Sequence, residues 1–229
     1  MIKILCLTKS YGSKFILKKW KYQFDNGKIY GLIGRNGIGK TTMLKCISGL
    51  CSSNEADIFT DQGDISHYDY LDRNITYVSD EPVYYNDLTL SEHLWLVCRV
   101  ENYVKEEAGK KIAYYINRFH MEEYMDYYPP ALSKGTLQRM MLIMGFLRKD
   151  CNLLLDEPFN GLDPIQLQET IKICDEERKN RCLIISSHDI ETLGELCDEY
   201  IVFTKKGIET FSGEIDRVKM NDMIGESYA

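Results

Sequence analysis

Gly34-Arg35-Asn36-Gly37-Ile38-Gly39-Lys40-Thr41-Thr42 sets a glycine, four further residues and then Gly-Lys-Thr at the spacing that lets a backbone fold back on itself. In such a loop successive amide N–H groups converge on phosphate oxygens. The lysine reaches the β- and γ-phosphates, and the hydroxyl after it ligates Mg²⁺. The chemistry offered by Gly34 to Thr42 is therefore a grip on a nucleoside triphosphate. Further along, the apolar run Leu153-Leu-Leu155 ends in Asp156-Glu157-Pro158, two adjacent carboxylates. Asp156 is suited to hold Mg²⁺, commonly through water, and Glu157 to polarise a water for in-line attack on a γ-phosphate. Taken alone, Asp-Glu after an apolar stretch reads as well as a solvated turn or helix cap. Lys40 upstream tips the reading toward catalysis.

These groups need elements to position them. Lys28-Ile-Tyr-Gly-Leu-Ile33 reads as a strand entering the loop and Thr42-Met-Leu-Lys-Cys-Ile-Ser48 as a helix leaving it, whose N-terminus adds partial positive charge beneath the phosphates. Upstream, Ile2 to Thr8 alternates and Phe15 to Phe24 continues an extended pattern. Glu55 to Asp72 is polar and turn-rich and leads to a short strand, Ile75–Val78. From Leu90 to about Tyr128 apolar residues recur at three- and four-residue spacing, which predicts helices. Pro129-Pro130 breaks that run, and Ser133 suits the N-cap of another helix reaching Arg148. Strand Leu153–Leu155, helix Ile165–Glu177, strand Cys182–Ile185, helix Ile190–Leu196 and strand Tyr200–Phe203 then alternate. That order implies a parallel sheet covered by helices, with carboxylates at the strand ends where open α/β sheets bind ligands. The tail from Gly213 is expected to be a short amphipathic helix with a frayed end.

A length of 229 residues suits one large α/β domain with a helical insertion. The longest clean apolar runs, such as Met140-Met-Leu-Ile-Met144, fall far short of the ~20 residues a membrane helix needs. Met1 to Lys9 alternates and contains lysine, unlike a secretory leader, so a cytoplasmic location is expected. The eight cysteines stand singly without a Cys-x-x-Cys, which predicts reduced and mostly buried thiols. With 28 basic and 35 acidic side chains the net charge is −7, arguing against nucleic acid as a partner.

Along nearly its whole length the chain resembles the nucleotide-binding domain of ATP-binding cassette (ABC) proteins. Leu132-Ser133-Lys134-Gly135-Thr136-Leu-Gln-Arg139 is similar to that family's Leu-Ser-Gly-Gly-Gln signature, Asn160-Gly-Leu-Asp163 to its D-loop, and Ser186-Ser-His188-Asp to its switch histidine. Tyr11 stands where the family places an aromatic that stacks on adenine, and Ile75 to Pro82 occupies the Q-loop position. Each fragment is weak alone, but their order is the family's. The resemblance implies a P-loop NTPase core with a parallel sheet, an N-terminal antiparallel β-subdomain and a helical subdomain inserted at about residues 88–150, all within one ATP-binding domain spanning 1–229. It implies an ATPase in which two cassettes dimerise head to tail. Ser133, Lys134, Gly135 and Thr136 then face ATP held by the other subunit, His188 contacts the γ-phosphate and attacking water, and Asp163 couples the sites.

Two departures stand out. Asp80 takes the place of the Q-loop glutamine, keeping an oxygen for Mg²⁺ but losing the amide donor. In the signature, Lys134 replaces a glycine and Thr136 a glutamine, while Ser133 and Gly135 remain. Thr41, Asp156 and Asp80 are the expected Mg²⁺ ligands, and because Glu157 and His188 are both present a hydrolysing site is expected. The first functional reading is the ATPase of a transporter, peripheral on the inner face of the cell membrane, docked on a separately encoded integral membrane permease and resembling bacterial export or resistance systems. The second is a non-transport ABC ATPase, for example of the iron–sulfur assembly type, since neither the second cassette usual in translation ATPases nor the long coiled-coil insertion of repair ATPases is visible. An inert nucleotide-dependent scaffold is a third.

Overall fold

The computed structural model describes residues 1–70, 73–149, 151–204, 206–213 and 220. β1 (Ile2–Tyr11) and β2 (Lys14–Phe24) form an antiparallel hairpin in register from Ile2 opposite Phe24 to Tyr11 opposite Lys14. β3 (Ile29–Ile33), buried throughout, leaves this hairpin and enters a different sheet. The stretch expected to be merely polar and turn-rich contains β4 (Glu55–Thr60), paired with the second edge of β1, and the short β5 (Gly63–Asp64). Only Ile58 and Thr60 of β4 are buried, so its acidic, solvated face masks the strand in the sequence. The result is an antiparallel sheet in the order β2-β1-β4-β5.

The second sheet runs β10-β9-β3-β8-β7-β6. Five of its strands are parallel: β3, β6 (Ile75–Val78), β7 (Asn152–Asp156), β8 (Leu183–Ser187) and β9 (Glu199–Thr204). β10 (Gly207–Ser212), which the sequence reading did not anticipate, closes back antiparallel on β9. Its inward side chains are few, so it carries little hydrophobic signal. The expected C-terminal helix beyond Gly213 lies outside the described residues.

Six α-helices lie among the described residues: α1 (Lys40–Ser48), α2 (Leu90–Val100), α3 (Lys105–Arg118), α4 (Lys134–Phe146), α5 (Pro164–Glu177) and α6 (Ile190–Leu196), with two short 3-10 turns at Glu122–Tyr124 and Pro129–Ala131. Thr89 and Glu92 make a reciprocal capping box at α2, and Ser133 caps α4 as its position suggested. The helix expected to reach Arg148 ends at Phe146.

Strand pleating divides the core in two. Ile29, Ile33, Leu153, Leu155, Leu183, Ile185 and Val202 point toward the helical layer. Their neighbours Tyr30, Leu32, Leu154, Ile184, Ile201 and Phe203 pack instead with α1 and the antiparallel sheet. Alternate residues of each parallel strand thus serve different cores, which is why these strands read as continuous apolar runs. Both faces being covered, only the strand ends remain open for chemistry.

Candidate active site

β3 delivers the chain to Gly34 and α1 begins at Lys40, so the phosphate loop spans a strand end and a helix start. Gly39 stands at the N-cap with φ +126° and provides no side-chain cap, leaving the first amides of α1 for an anion. A Cβ on Gly39 would lie 2.4 Å from Ile16 Cγ2. Ile38 N donates to the Arg35 carbonyl at 3.2 Å, tightening the loop's turn. Lys40 is buried; its Nζ donates to the Gly34 carbonyl at 2.7 Å and sits 3.5 Å from Glu157 Oε1. Thr41 is exposed beside it.

The carboxylates arrive on β7. Asp156 is 2 % exposed, and each oxygen holds one hydroxyl: Oδ1 accepts from Ser186 Oγ at 2.5 Å and Oδ2 from Tyr77 Oη at 2.8 Å. Burial and the adjacent Asp156 charge push the Tyr77 phenol well above its usual range. Glu157 turns the opposite way, because its backbone adopts φ +48°, a left-handed conformation that costs a non-glycine residue about 1–2 kcal/mol. Its amide holds the turn by donating to the Ser186 carbonyl (3.1 Å) and Oγ (3.0 Å). Strain at a cleft residue is a mark of function when the surroundings over-determine it, as here. Glu157 Oε2 lies 2.9 Å from His188 Nδ1, whereas Oε1 is buried without a hydrogen-bond partner.

A cleft of about 510 Å³ collects Tyr11, Lys14, Ile16, Arg35, Asn36, Gly37, Gly39, Lys40, Thr41, Thr42, Asp80, Glu157, Asn160 and His188. Most of the expected site residues therefore meet at one place, although they come from five separate segments. Asp80 enters from the end of β6 and accepts a hydrogen bond from Asn160 Nδ2 at 3.0 Å. Tyr11, at the hairpin tip, is 56 % exposed, with the Lys9 ammonium 4.7 Å from its ring centroid. A larger cavity of about 750 Å³ lies behind Arg35 to Ile38 and is walled by Lys14, Lys18, Lys19 and Lys21, but it holds neither carboxylate nor His188. The smaller cleft is where the chemistry converges.

Of the expected site residues, Gly34, Ile38, Asp156, Ser133, Lys134, Gly135, Thr136 and Asp163 are not among those lining this cleft. Ser133 Oγ caps α4 by accepting from the Thr136 amide at 3.2 Å, and Thr136 Oγ1 also accepts from Arg139. Lys134 is exposed. Asp163 caps α5, accepting from the Ile165 and Gln166 amides at 2.9 Å each. Gly135 packs so closely on the loop after β7 that a Cβ there would lie 2.5 Å from the Gly161 carbonyl oxygen.

Sequence reasoning met Tyr77, Ser186 and Asn160 only as members of motifs and gave them no role, yet they hold Asp156, Glu157 and Asp80. Ser186 stands directly opposite Asp156 in the β7–β8 register, so strand pairing would have found it. The donors expected for Mg²⁺ are all hard oxygens: the Thr41 hydroxyl and the Asp156 and Asp80 carboxylates. That set suits an ion which keeps waters and takes its remaining ligands from phosphate. Thr41 and Asp80 line the cleft together and fit the ion, whereas Asp156, 2 % exposed, is not among the lining residues and each of its oxygens already holds one hydroxyl donor.

A mostly parallel, helix-covered sheet with a phosphate loop after one strand and two carboxylates after another defines a P-loop nucleoside triphosphatase. Residues 17–160 match the ABC transporter family, and the chain belongs to that family. It is 30 % identical over 204 residues to the ABC-type transporter ATP-binding protein EcsA of Bacillus subtilis, covering 88 % of this chain and 83 % of that protein. Over 212 residues it is 28 % identical to the spermidine/putrescine import ATP-binding protein PotA of Pasteurella multocida, covering 91 % and 57 % respectively. A solved ATP-binding subunit of an ABC transporter superposes with a TM-score of 0.86 at 26 % identity, covering 100 % of this chain and 95 % of that one. The chain is thus an ABC transporter ATP-binding subunit, and its reaction is ATP hydrolysis.

Proposed function

We propose that residues 1–229 act as a single cassette, with residues 88–150 as its helical insertion, that powers export through a separately encoded membrane permease by ATP-driven dimerisation. The observation carrying this reading is that the signature segment does not line the cleft holding Lys40, Glu157 and His188. A second cassette, identical or related, would complete it. Ser133 and Gly135 at a helix start then supply amide donors to the γ-phosphate across the interface.

In this mechanism the loop amides and Lys40 bind the β- and γ-phosphates, and Tyr11 stacks on the adenine. Glu157 takes the proton of the attacking water, and His188 orients the Glu157 carboxylate through Nδ1. Thr41 and Asp80, with Asp156 through water, would hold Mg²⁺, which neutralises phosphate charge when bound. Lys40 stands 3.5 Å from Glu157, so triphosphate binding competes for the ammonium and leaves the carboxylate to the water. Asp163 keeps the loop between Glu157 and α5 in shape by capping that helix.

A groove of about 500 Å³ beside Ser79, lined by Leu50, Val83, Val97, Met141 and Met144 with Lys45 and Arg148 at its border, suits a cytoplasmic segment of the permease bearing apolar and acidic side chains. No helix among the described residues is long and apolar enough to cross a membrane, so the proposed attachment to the inner face of the cell membrane runs through that partner. Copurification from native membranes tests it: a polytopic protein in the complex supports the transporter reading, and its absence refutes it. Direction is tested in inside-out vesicles, where ATP-driven accumulation of cargo supports export and ATP-driven loss supports import, the direction named for PotA.

A further inference from the structure

The larger cavity, about 750 Å³, has walls of a single charge. Lys14, Lys18, Lys19 and Lys21 line it together with Arg35 and Lys206, and no acidic side chain does so among the described residues. These four lysines of β2 make no ion pair among the described residues, in a chain whose net charge is −7. A bulge sets them there. Between the pairs Leu7–Trp20 and Lys9–Leu17, β1 supplies Thr8 alone whereas β2 supplies both Lys18 and Lys19. The inward phase of β2 therefore changes from Leu17 to Trp20, Tyr22 and Phe24, and two successive lysines stay exposed. Lys19 takes φ +47° to achieve this, a left-handed conformation that is costly for lysine, and its amide is held by donation to Thr8 Oγ1 at 3.1 Å.

We propose that this cavity is a second anion site, which takes a multiply phosphorylated small molecule and lowers the affinity of the adjoining cleft for ATP. Ammonium groups of one sign around a concave wall concentrate polyanions, and phosphate oxygens accept the hydrogen bonds that these lysines give to no carboxylate. The volume of about 750 Å³ exceeds the 510 Å³ of the ATP cleft, which leaves room for an organic body besides the phosphates. Its apolar contacts are Phe15, exposed with the Lys18 ammonium 5.5 Å from its ring centroid, and Ile208 at the start of β10.

Lys14, Ile16, Arg35, Asn36 and Gly37 line both this cavity and the smaller cleft, so the first part of the phosphate loop is a wall between two anion sites. An anion on the outer side draws on the Lys14 and Arg35 charges that otherwise favour a triphosphate on the inner side, and the two polyanions repel across the loop. Occupancy of either site therefore weakens the other by the same factor. Lys18, Lys19 and Lys21 line the outer cavity alone, which separates it from the hydrolytic machinery. The coupling, though not the site, rests on the proposed role of the smaller cleft as the place where ATP binds.

The test titrates the full chain with inositol hexakisphosphate by calorimetry, while saturating ADP fills the cleft and free Mg²⁺ is held constant. Expected is one binding event that persists under ADP and weakens at least about tenfold in the double variant Lys18→Ser, Lys21→Ser, whose basal turnover is unchanged. With the same probe the apparent KM for ATP should rise several-fold and then level off, because coupling between two sites saturates whereas competition for one does not. Loss of the binding event under ADP, or equal affinity in wild type and double variant, would overturn the site. Probe binding that leaves the KM unchanged refutes the coupling. Sedimentation with phosphatidylglycerol vesicles that needs these lysines, without probe binding, assigns them to a membrane surface and also overturns the proposal. If Lys40→Ala keeps its ATP affinity, the cleft reading fails while lysine-dependent probe binding upholds the anion site.

Discussion

Glu157 Oε2 accepts hydrogen bonds from both the ring Nδ1 (2.9 Å) and the backbone N–H (3.4 Å) of His188, so a residue at the end of β8 fixes a carboxylate at the end of β7. A carboxylate oxygen can only accept, so Nδ1 carries the proton and Nε2 is left for ligand. Replacing Glu157 by Gln is expected to lower ATP turnover by about two to four orders of magnitude while ATP binding persists and the ATP-bound dimer accumulates. Steady-state hydrolysis with size-exclusion chromatography checks this. Turnover at the wild-type rate would remove Glu157 from the role of base.

Asp156 depends on two hydroxyls from neighbouring strands. Tyr77→Phe leaves Asp156 Oδ2 without its 2.8 Å partner, and we expect a stability loss of about 1–3 kcal/mol in urea. Because the freed carboxylate is less firmly held, the Mg²⁺ concentration for half-maximal hydrolysis should also rise. A variant as stable as wild type with the same Mg²⁺ curve would show that this hydrogen bond is dispensable.

Asp80 differs from its neighbours in having a side-chain amide as partner, Asn160 Nδ2 at 3.0 Å. If Asp80 ligates Mg²⁺, Asp80→Gln should raise the Mg²⁺ requirement by at least about tenfold. Equal Mg²⁺ dependence in the two proteins would assign Asp80 to positioning Asn160 instead.

Gly135 has backbone rather than side chain in its way, since its Cβ would stand 2.5 Å from the Gly161 carbonyl. The Gly135→Ala variant must displace the loop carrying Asn160 and Asp163. Unaltered ATP binding by the isolated chain with loss of ATP-driven dimerisation and turnover is the expected outcome, measured by nucleotide titration and light scattering. Normal dimerisation would sever the signature from assembly.

Acid should unfasten α6. Burial would raise the Asp189 carboxyl, but hydrogen bonds from Thr192 and the Glu191 and Thr192 amides lower it beneath 3.8. A group with a depressed native value stabilises the fold above its unfolded value and loses that contribution as pH falls through the native one. Asp189→Ala is expected to cost about 0.5–2 kcal/mol at pH 7, the usual worth of an N-cap, and the gap to wild type should close as pH drops below 3.8. Urea melts between pH 7 and pH 3 measure both effects, and a gap independent of pH would contradict the assignment.

What could be read from sequence was contiguous or periodic. Gly34 to Thr42 carries its own geometry, because Gly39 at φ +126° tolerates no side chain and the next residue starts a helix. Asp156-Glu157 follows an apolar run, and the alternation of strands and helices after residue 150 fixes the class of sheet. Tertiary structure alone decided which strand lies beside which: β3, third along the chain, takes a central place between β9 and β8. That pairing brings Lys40, Glu157 and His188 together and sets Ser186 and Tyr77 against Asp156. The solvated strand β4 and the edge strand β10 escaped notice because a half-exposed strand leaves little apolar pattern. Periodicity reports the face on which a residue lies, whereas the neighbour across the sheet is selected by burial of the whole chain at once.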